Sequence, residues 1–202
     1  MNYSELSAAI QAYSESDEQM FVDNIPVFVR AAEQRIYNSV QFPSIRKNVT
    51  GVTTLNNKYL QCPTDFLAVY SLAVINASGE YEYLLNKDVN FIRQAYPQPT
   101  DTGIPKYYAL FGPQSSNAAE LTFILGPTPD ASYGSELHYY YYPESIVTAT
   151  TTWLGDNFDS VLLYASLVEA YTYMKGEQDM MQLYNQKFME ALALAKRLGD
   201  GM

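Results

Sequence analysis

The chain has 202 residues, 48% of them hydrophobic, which is enough for a core of its own in one large domain or a small domain with another inserted, and excludes global disorder. A net charge of −10 with no basic arm excludes a protein that grips nucleic acid by neutralising its phosphates. The single cysteine, Cys62, excludes an internal disulfide and any cysteine-based zinc site.

The opening "MNYSELSAAIQAY" lacks the basic start and long apolar stretch of a signal peptide, and no apolar run approaches a membrane span, so no membrane is implied and folding in a cytoplasm is expected. Leu6, Ala9, Ile10 and Tyr13 recur at helical spacing and predict a helix over 3–13, interrupted by "SESDE". A second helix is expected to start with Asn24 as N-cap and Pro26 in its first turn. Its apolar stripe is Ile25, Phe28, Val29, Ala32, Ile36 and Val40, with Arg30, Glu33 and Gln34 off it, and Pro43 ends it.

From Val49 to Tyr142 the period changes to that of strands. "VTGVTTLNNKYLQCP" reads as a hairpin turning at Asn56-Asn57, and "LAVYSLAVINASGEYEYLL" as another turning at Ala77-Ser78-Gly79. "NKDVNFIRQAY" suits a short helix, and "PKYYALFG", "ELTFILGP" and "SELHYYYY" suit strands. The helical period then returns. Asp156 is the expected cap of a helix running to Lys175, Gly176 breaks the chain, and a last helix with Met181, Tyr184, Phe188, Ala191, Leu192, Ala195 and Leu198 on one face stops at Gly199. The expected fold is therefore α+β: a helical bundle from residues 1–45 and 153–202, with an antiparallel β-sandwich-like domain, residues 46–152, inserted.

The helix after Asp156 is apolar on two faces, one with Phe158, Val161, Leu162, Ala165 and Val168, the other with Leu163, Leu167, Ala170, Tyr171 and Met174. A helix apolar on most sides must be covered on most sides. It is either the central helix of one core, or a helix whose second face is covered by the β insert or another subunit.

Chemistry finds little support. A nucleophilic triad needs a histidine, and the only one, His138, lies within a tyrosine-rich strand rather than a catalytic loop. No phosphate-binding glycine motif or metal-ligand spacing occurs, and no cofactor is implied. Glu80, Glu82, Glu136 and Glu144 lie in the β region, but nothing in their spacing selects a catalytic carboxylate pair. In "ELHYYYYPE", strand alternation puts Leu137, Tyr139 and Tyr141 on one face and His138, Tyr140 and Tyr142 on the other. Tyr139, Tyr140, Tyr141 and Tyr142, with Leu163, Leu167, Tyr171 and Met174, are the candidate subunit interface. Sugar stacking is the rival use of the tyrosines.

Several stretches carry a resemblance: "IPVFVRAAEQRIYNSVQFPSIRKN", "LLNKDVNFIRQAYP", "GIPKYYALFG", "ILGPTPD", "ELHYYYYPESI", "TTTWLGDNFDSVLLYASLVEAYTYMKGE" and "ALALAKRLGDG". Over nearly its full length the chain resembles the head–tail adaptor (neck) proteins of short-tailed bacteriophages. The resemblance implies a structural virion protein at the head–tail junction, made in the host cytoplasm and without enzymatic activity. It implies a ring, usually dodecameric, that binds the portal protein and a tail nozzle or other tail proteins, extends the DNA channel and helps retain the genome. Genomic DNA would pass without specific binding, since an acidic wall repels phosphates, with Glu5, Glu15, Asp17 and Glu18 as candidate wall residues. The segment "RLGDGM" is shorter than the C-terminal arm such proteins commonly carry. The competing functions are a tail-associated glycan-binding module and a carboxylate hydrolase.

Overall fold

A computed structural model describes residues 1–112 and 121–199, with side chains to residue 197, so the Leu198 side chain and the last residues of "RLGDGM" lie outside the described part. In chain order the elements are α1 (Tyr3–Ser14), α2 (Gln19–Ser39), a 3₁₀ turn (Pro43–Ile45), β1 (Arg46–Val52), β2 (Tyr59–Gln61), β3 (Ala68–Ile75), β4 (Tyr81–Tyr83), β5 (Leu85–Asn86), α3 (Val89–Ala95), β6 (Tyr107–Phe111), β7 (Thr122–Gly126), β8 (Gly134–Tyr140), α4 (Ile146–Ala149), α5 (Trp153–Asn157), α6 (Asp159–Met174) and α7 (Gln178–Gly199). They fall into two compact units, Met1–Ile45 with Tyr142–Met202, and Arg46–Tyr141. Terminal helices thus flank an inserted β domain, the expected α+β architecture.

In the helical unit, α1 opens with a capping box: the Asn2 side chain accepts from the Glu5 N–H, and the Glu5 carboxylate accepts from the Asn2 N–H. Helix α2 starts at Gln19, before the expected Asn24. Asn24 is not a cap; it lies within the helix and its amide donates to the Met20 carbonyl at 2.7 Å, which leaves Pro26 inside the helix rather than in its first turn. Asp156 is likewise not the cap of the long helix that follows, because the chain first makes α5, whose N-cap is Thr152. Helix α6 begins at Asp159 without a side-chain cap.

Helix α6 packs against α1, α2, α5 and α7, and both of its apolar faces are filled by its own chain. Leu167 is 0% exposed and Leu163 is buried, so the central-helix reading describes this molecule and no second subunit is needed to cover them. Burying each such leucine contributes about 1.5–3 kcal/mol. Glu33, read as lying off the α2 stripe, is also buried. Its carboxylate accepts from the Ile146 N–H at 2.8 Å and so ties the start of α4 to α2. Burial raises its pKa above the usual carboxylate value.

The β unit is two four-stranded sheets, ordered β1-β8-β3-β4 and β2-β7-β6-β5. The β3–β4 hairpin is as expected, with Gly79 at φ 81° in its turn, a conformation open to glycine. The hairpin expected at Asn56-Asn57 does not form. The turn is there, with Asn56 left-handed at φ 57°, but β1 pairs with β8 and β2 with β7, so it carries the chain from one sheet to the other. Leu72, Val74, Tyr108, Phe123, Leu125, Leu137 and Tyr139 form the core of the sandwich. Helix α3, N-capped by Asp88, packs Ile92 against Ala109 and Ile124 on the other face of the second sheet.

Candidate interaction surface on the first sheet

Alternation along β8 sorts its residues. Ser135, Leu137 and Tyr139 are buried, while Glu136, His138 and Tyr140 are half-buried on the opposite face. Tyr139 is 1% exposed and serves the core. Its hydroxyl donates to Asp65 Oδ1 at 2.8 Å, and Lys47 Nζ donates to Asp65 Oδ2 at 2.7 Å. The Lys47 bond, followed by that of Tyr139, holds the Asp65 carboxyl below the usual carboxylate range. Tyr141 also packs against the core, with Lys47 at 5.1 Å from its ring centre. Tyr142 belongs to the helical unit, where its hydroxyl donates to Asn38.

The candidate interface residues divide between the two units, Tyr139, Tyr140 and Tyr141 in the β unit and Tyr142, Leu163, Leu167, Tyr171 and Met174 in the helical one. Tyr139, Leu163 and Leu167 are covered by their own chain. Tyr171 is half-buried, with its hydroxyl donating to the Tyr13 carbonyl at 3.1 Å and its ring 4.9 Å from that of Tyr184. Met174 is half-buried in the last turn of α6. Only Tyr140 lies on the exposed face of the first sheet.

That face holds tyrosines from three strands. The register of β3 against β8 shifts between Val69 and Ser71, and the unpaired Tyr70 is 62% exposed. Its ring meets that of Tyr140 edge-on at 6.0 Å, with the Arg46 guanidinium 5.7 Å from its centre. On β4, Tyr81 and Tyr83 stack at 6.2 Å, and Tyr83 is 65% exposed. Tyrosine and arginine are the residues enriched where proteins meet, because they bring large area with few rotamers to freeze. The signal missed in the sequence was the alternation of β4, which sets Tyr81 and Tyr83 on the face of Tyr140; Tyr70 has the parity of the buried Leu72 and Val74 and reaches that face only through the β3 bulge.

His138 sits on this face with Ser71 and Glu136. Ser71 Oγ lies 3.3 Å and Glu136 Oε1 3.7 Å from the same ring nitrogen, Nδ1. A triad needs nucleophile and orienting acid on opposite nitrogens, so this cluster is not arranged for nucleophilic catalysis. Among the described residues no cluster of three or more His, Cys, Asp or Glu could hold a metal ion, and no helix is long and apolar enough to cross a membrane. Burial pushes the Cys62 thiol up to about 12, far from a reactive thiolate.

A tyrosine-faced sheet inserted in a helical unit suits a chain built to meet other proteins. Residues 1–201 match the family model described as SU10 adaptor protein. The chain belongs to this family of phage head–tail adaptors. Membership makes it a structural protein of the phage particle, with head and tail components as its interaction partners. No curated protein matches the chain. In this adaptor the acids named as channel candidates divide by position: Glu5 is engaged in the α1 capping box, while Glu15, Asp17 and Glu18 lie exposed between α1 and α2.

Proposed function

We propose that this adaptor assembles as a ring, dodecameric in the virion, between portal and tail, where it extends the DNA channel and helps retain the genome. The observation that supports the reading is the exposed face carrying Tyr70, Tyr81, Tyr83 and Tyr140 with Arg46 at its edge, on a chain of the adaptor family. These side chains are large, stiff and already stacked on one another, so little rotamer freedom is lost when a neighbour covers them. The net charge of −10 supports a channel role of the opposite kind to binding, in which DNA slides past a wall that repels it.

The test mixes the purified chain with portal particles and images the product by electron microscopy. Rings stacked on the portal are expected. The double variant Tyr70→Ser/Tyr83→Ser should keep the thermal midpoint of the isolated chain and lose ring assembly. Persistent absence of association by the intact chain would refute the reading, and normal rings from the double variant would remove this face from it.

A further inference from the structure

A second feature, on the other sheet, plays no part in the adaptor reading. At the C-terminal end of α3 a cavity of about 320 Å³ opens between that helix, the turn at Asn56-Asn57-Lys58 and strands β2 and β7. Its volume is at the small end of ligand pockets, with room for a sugar ring or two. Ile92, Ile124 and Leu125 give it a buried apolar floor, and Tyr59 and Tyr96 are half-buried in its lining.

Its polar groups point to the class of ligand. Lys58 and Arg93 line the cavity, and neither has a carboxylate partner among the described residues of a chain that carries −10; Lys58 Nζ lies over the Tyr59 ring, 5.6 Å from its centre. Asp101 accepts from the Gln98 N–H at 2.9 Å and so holds the turn that forms one wall. Asn56 and Gln98 add side-chain amides that bond to nothing in the described structure. Asn57 uses its carbonyl oxygen on the Tyr59 N–H at 3.0 Å, which leaves its NH₂ group open. Aromatic faces for C–H stacking, amides for hydroxyls and cations for one acid group together describe an acidic saccharide. Inorganic phosphate could use the same cations but has no ring to meet the tyrosines.

We infer that this cavity is a binding site for an acidic sugar, a uronate-type residue whose carboxylate sits between Lys58 and Arg93 while its ring packs on Tyr59 or Tyr96. The site needs no neighbouring copy, so it stands or falls apart from ring assembly. The probes are D-glucuronate, oligogalacturonate, glucose, inorganic phosphate and a dinucleotide, each titrated into the ¹⁵N-labelled intact chain and followed by amide shifts. Glucuronate should bind with a Kd of about 1 mM, the scale expected of so few atoms, and move the amides of Asn57, Lys58, Arg93 and Gln98. Glucose, lacking the acid, should bind about tenfold more weakly, and Arg93→Gln should weaken glucuronate by about the same factor. Gln98→Ala, which keeps both cations, should weaken the sugar and leave phosphate unchanged. No shift from either uronate would overturn the inference. So would phosphate matching glucuronate, which would make this a simple anion site, or a dinucleotide binding more tightly than both.

Discussion

Asp65 holds the rim of the sandwich core, and its removal should cost more than an exposed ion pair can explain. The Lys47–Asp65 pair is open to water on both sides, with side-chain exposures of 49% and 35%, and such pairs contribute about 0–1 kcal/mol. The Tyr139 hydroxyl is different, because it belongs to a core residue whose bond to Asp65 is charge-assisted, in the class worth about 1.5–3 kcal/mol. The hydroxyl end lies at the rim beside two half-exposed side chains, so water recovers part of the loss and the lower end of that range applies. Asp65→Ala should therefore destabilise by about 2 kcal/mol in urea melts at neutral pH and Tyr139→Phe by about 1.5, with Lys47→Ala the mildest of the three. The Asp65–Tyr139 double-mutant cycle should return most of the Tyr139 effect as coupling. The pH dependence has a definite sign. The native carboxyl is held below its ordinary value of 3.8, so the advantage over Asp65→Asn is full above that value and lost as the pH falls through the lowered native pKa. If Asp65→Ala costs no more than Lys47→Ala and the cycle returns no coupling, the bond from the core tyrosine has no part in stability.

Further outcomes are expected at three residues. Leu167→Ala should destabilise the isolated monomer by about 2–5 kcal/mol in denaturant melts, because the side chain is enclosed by its own chain; a value near zero would mean that α6 is covered only in assemblies. Glu33→Ala should cost about 1–3 kcal/mol by orphaning the Ile146 N–H. Because burial raises the native Glu33 pKa, wild type should gain stability relative to Glu33→Gln as the pH falls from above that pKa towards the ordinary 4.5, and thermal melts that move the other way would refute the assignment. Gly155→Ala would put a Cβ 2.7 Å from the Met1 carbonyl oxygen and 2.8 Å from Ile146 Cδ1, so it should destabilise by about 1–3 kcal/mol by calorimetry, with the backbone neighbour unable to swing aside.

The alternation of the sequence made the insert and most of its strands legible, since period 2 survives wherever one face of a sheet is buried. It did not reveal pairing. The Asn56-Asn57 turn has the residues of a hairpin, yet β1 finds β8 and β2 finds β7, partners more than 60 residues away that no local pattern encodes. Asn24 failed as a cap for a related reason. A cap residue also satisfies helix carbonyls from within, and the Asn24 amide does so at Met20. The apolar wrap of α6 was visible but ambiguous, because a helix surrounded by its own chain and one shared between chains have the same composition. The cavity at α3 was not visible at all. Its lining comes from four segments, and Lys58, Arg93 and Gln98 read singly as solvated polar residues.

The strand that drew attention first divides its labour by its period. Tyr139 points inward, donates to Asp65 and is fixed by the core, whereas Tyr140 points outward beside Tyr70 and contributes to no cluster of the sandwich interior. Changes on the outer face therefore act on association with little effect on folding, and changes on the inner face act on folding first. With α6 enclosed, the case for a ring no longer rests on helix surface in need of cover. It rests on the outer tyrosines of β3, β4 and β8, set outward by alternation on β4 and β8 and, at Tyr70, by the β3 bulge.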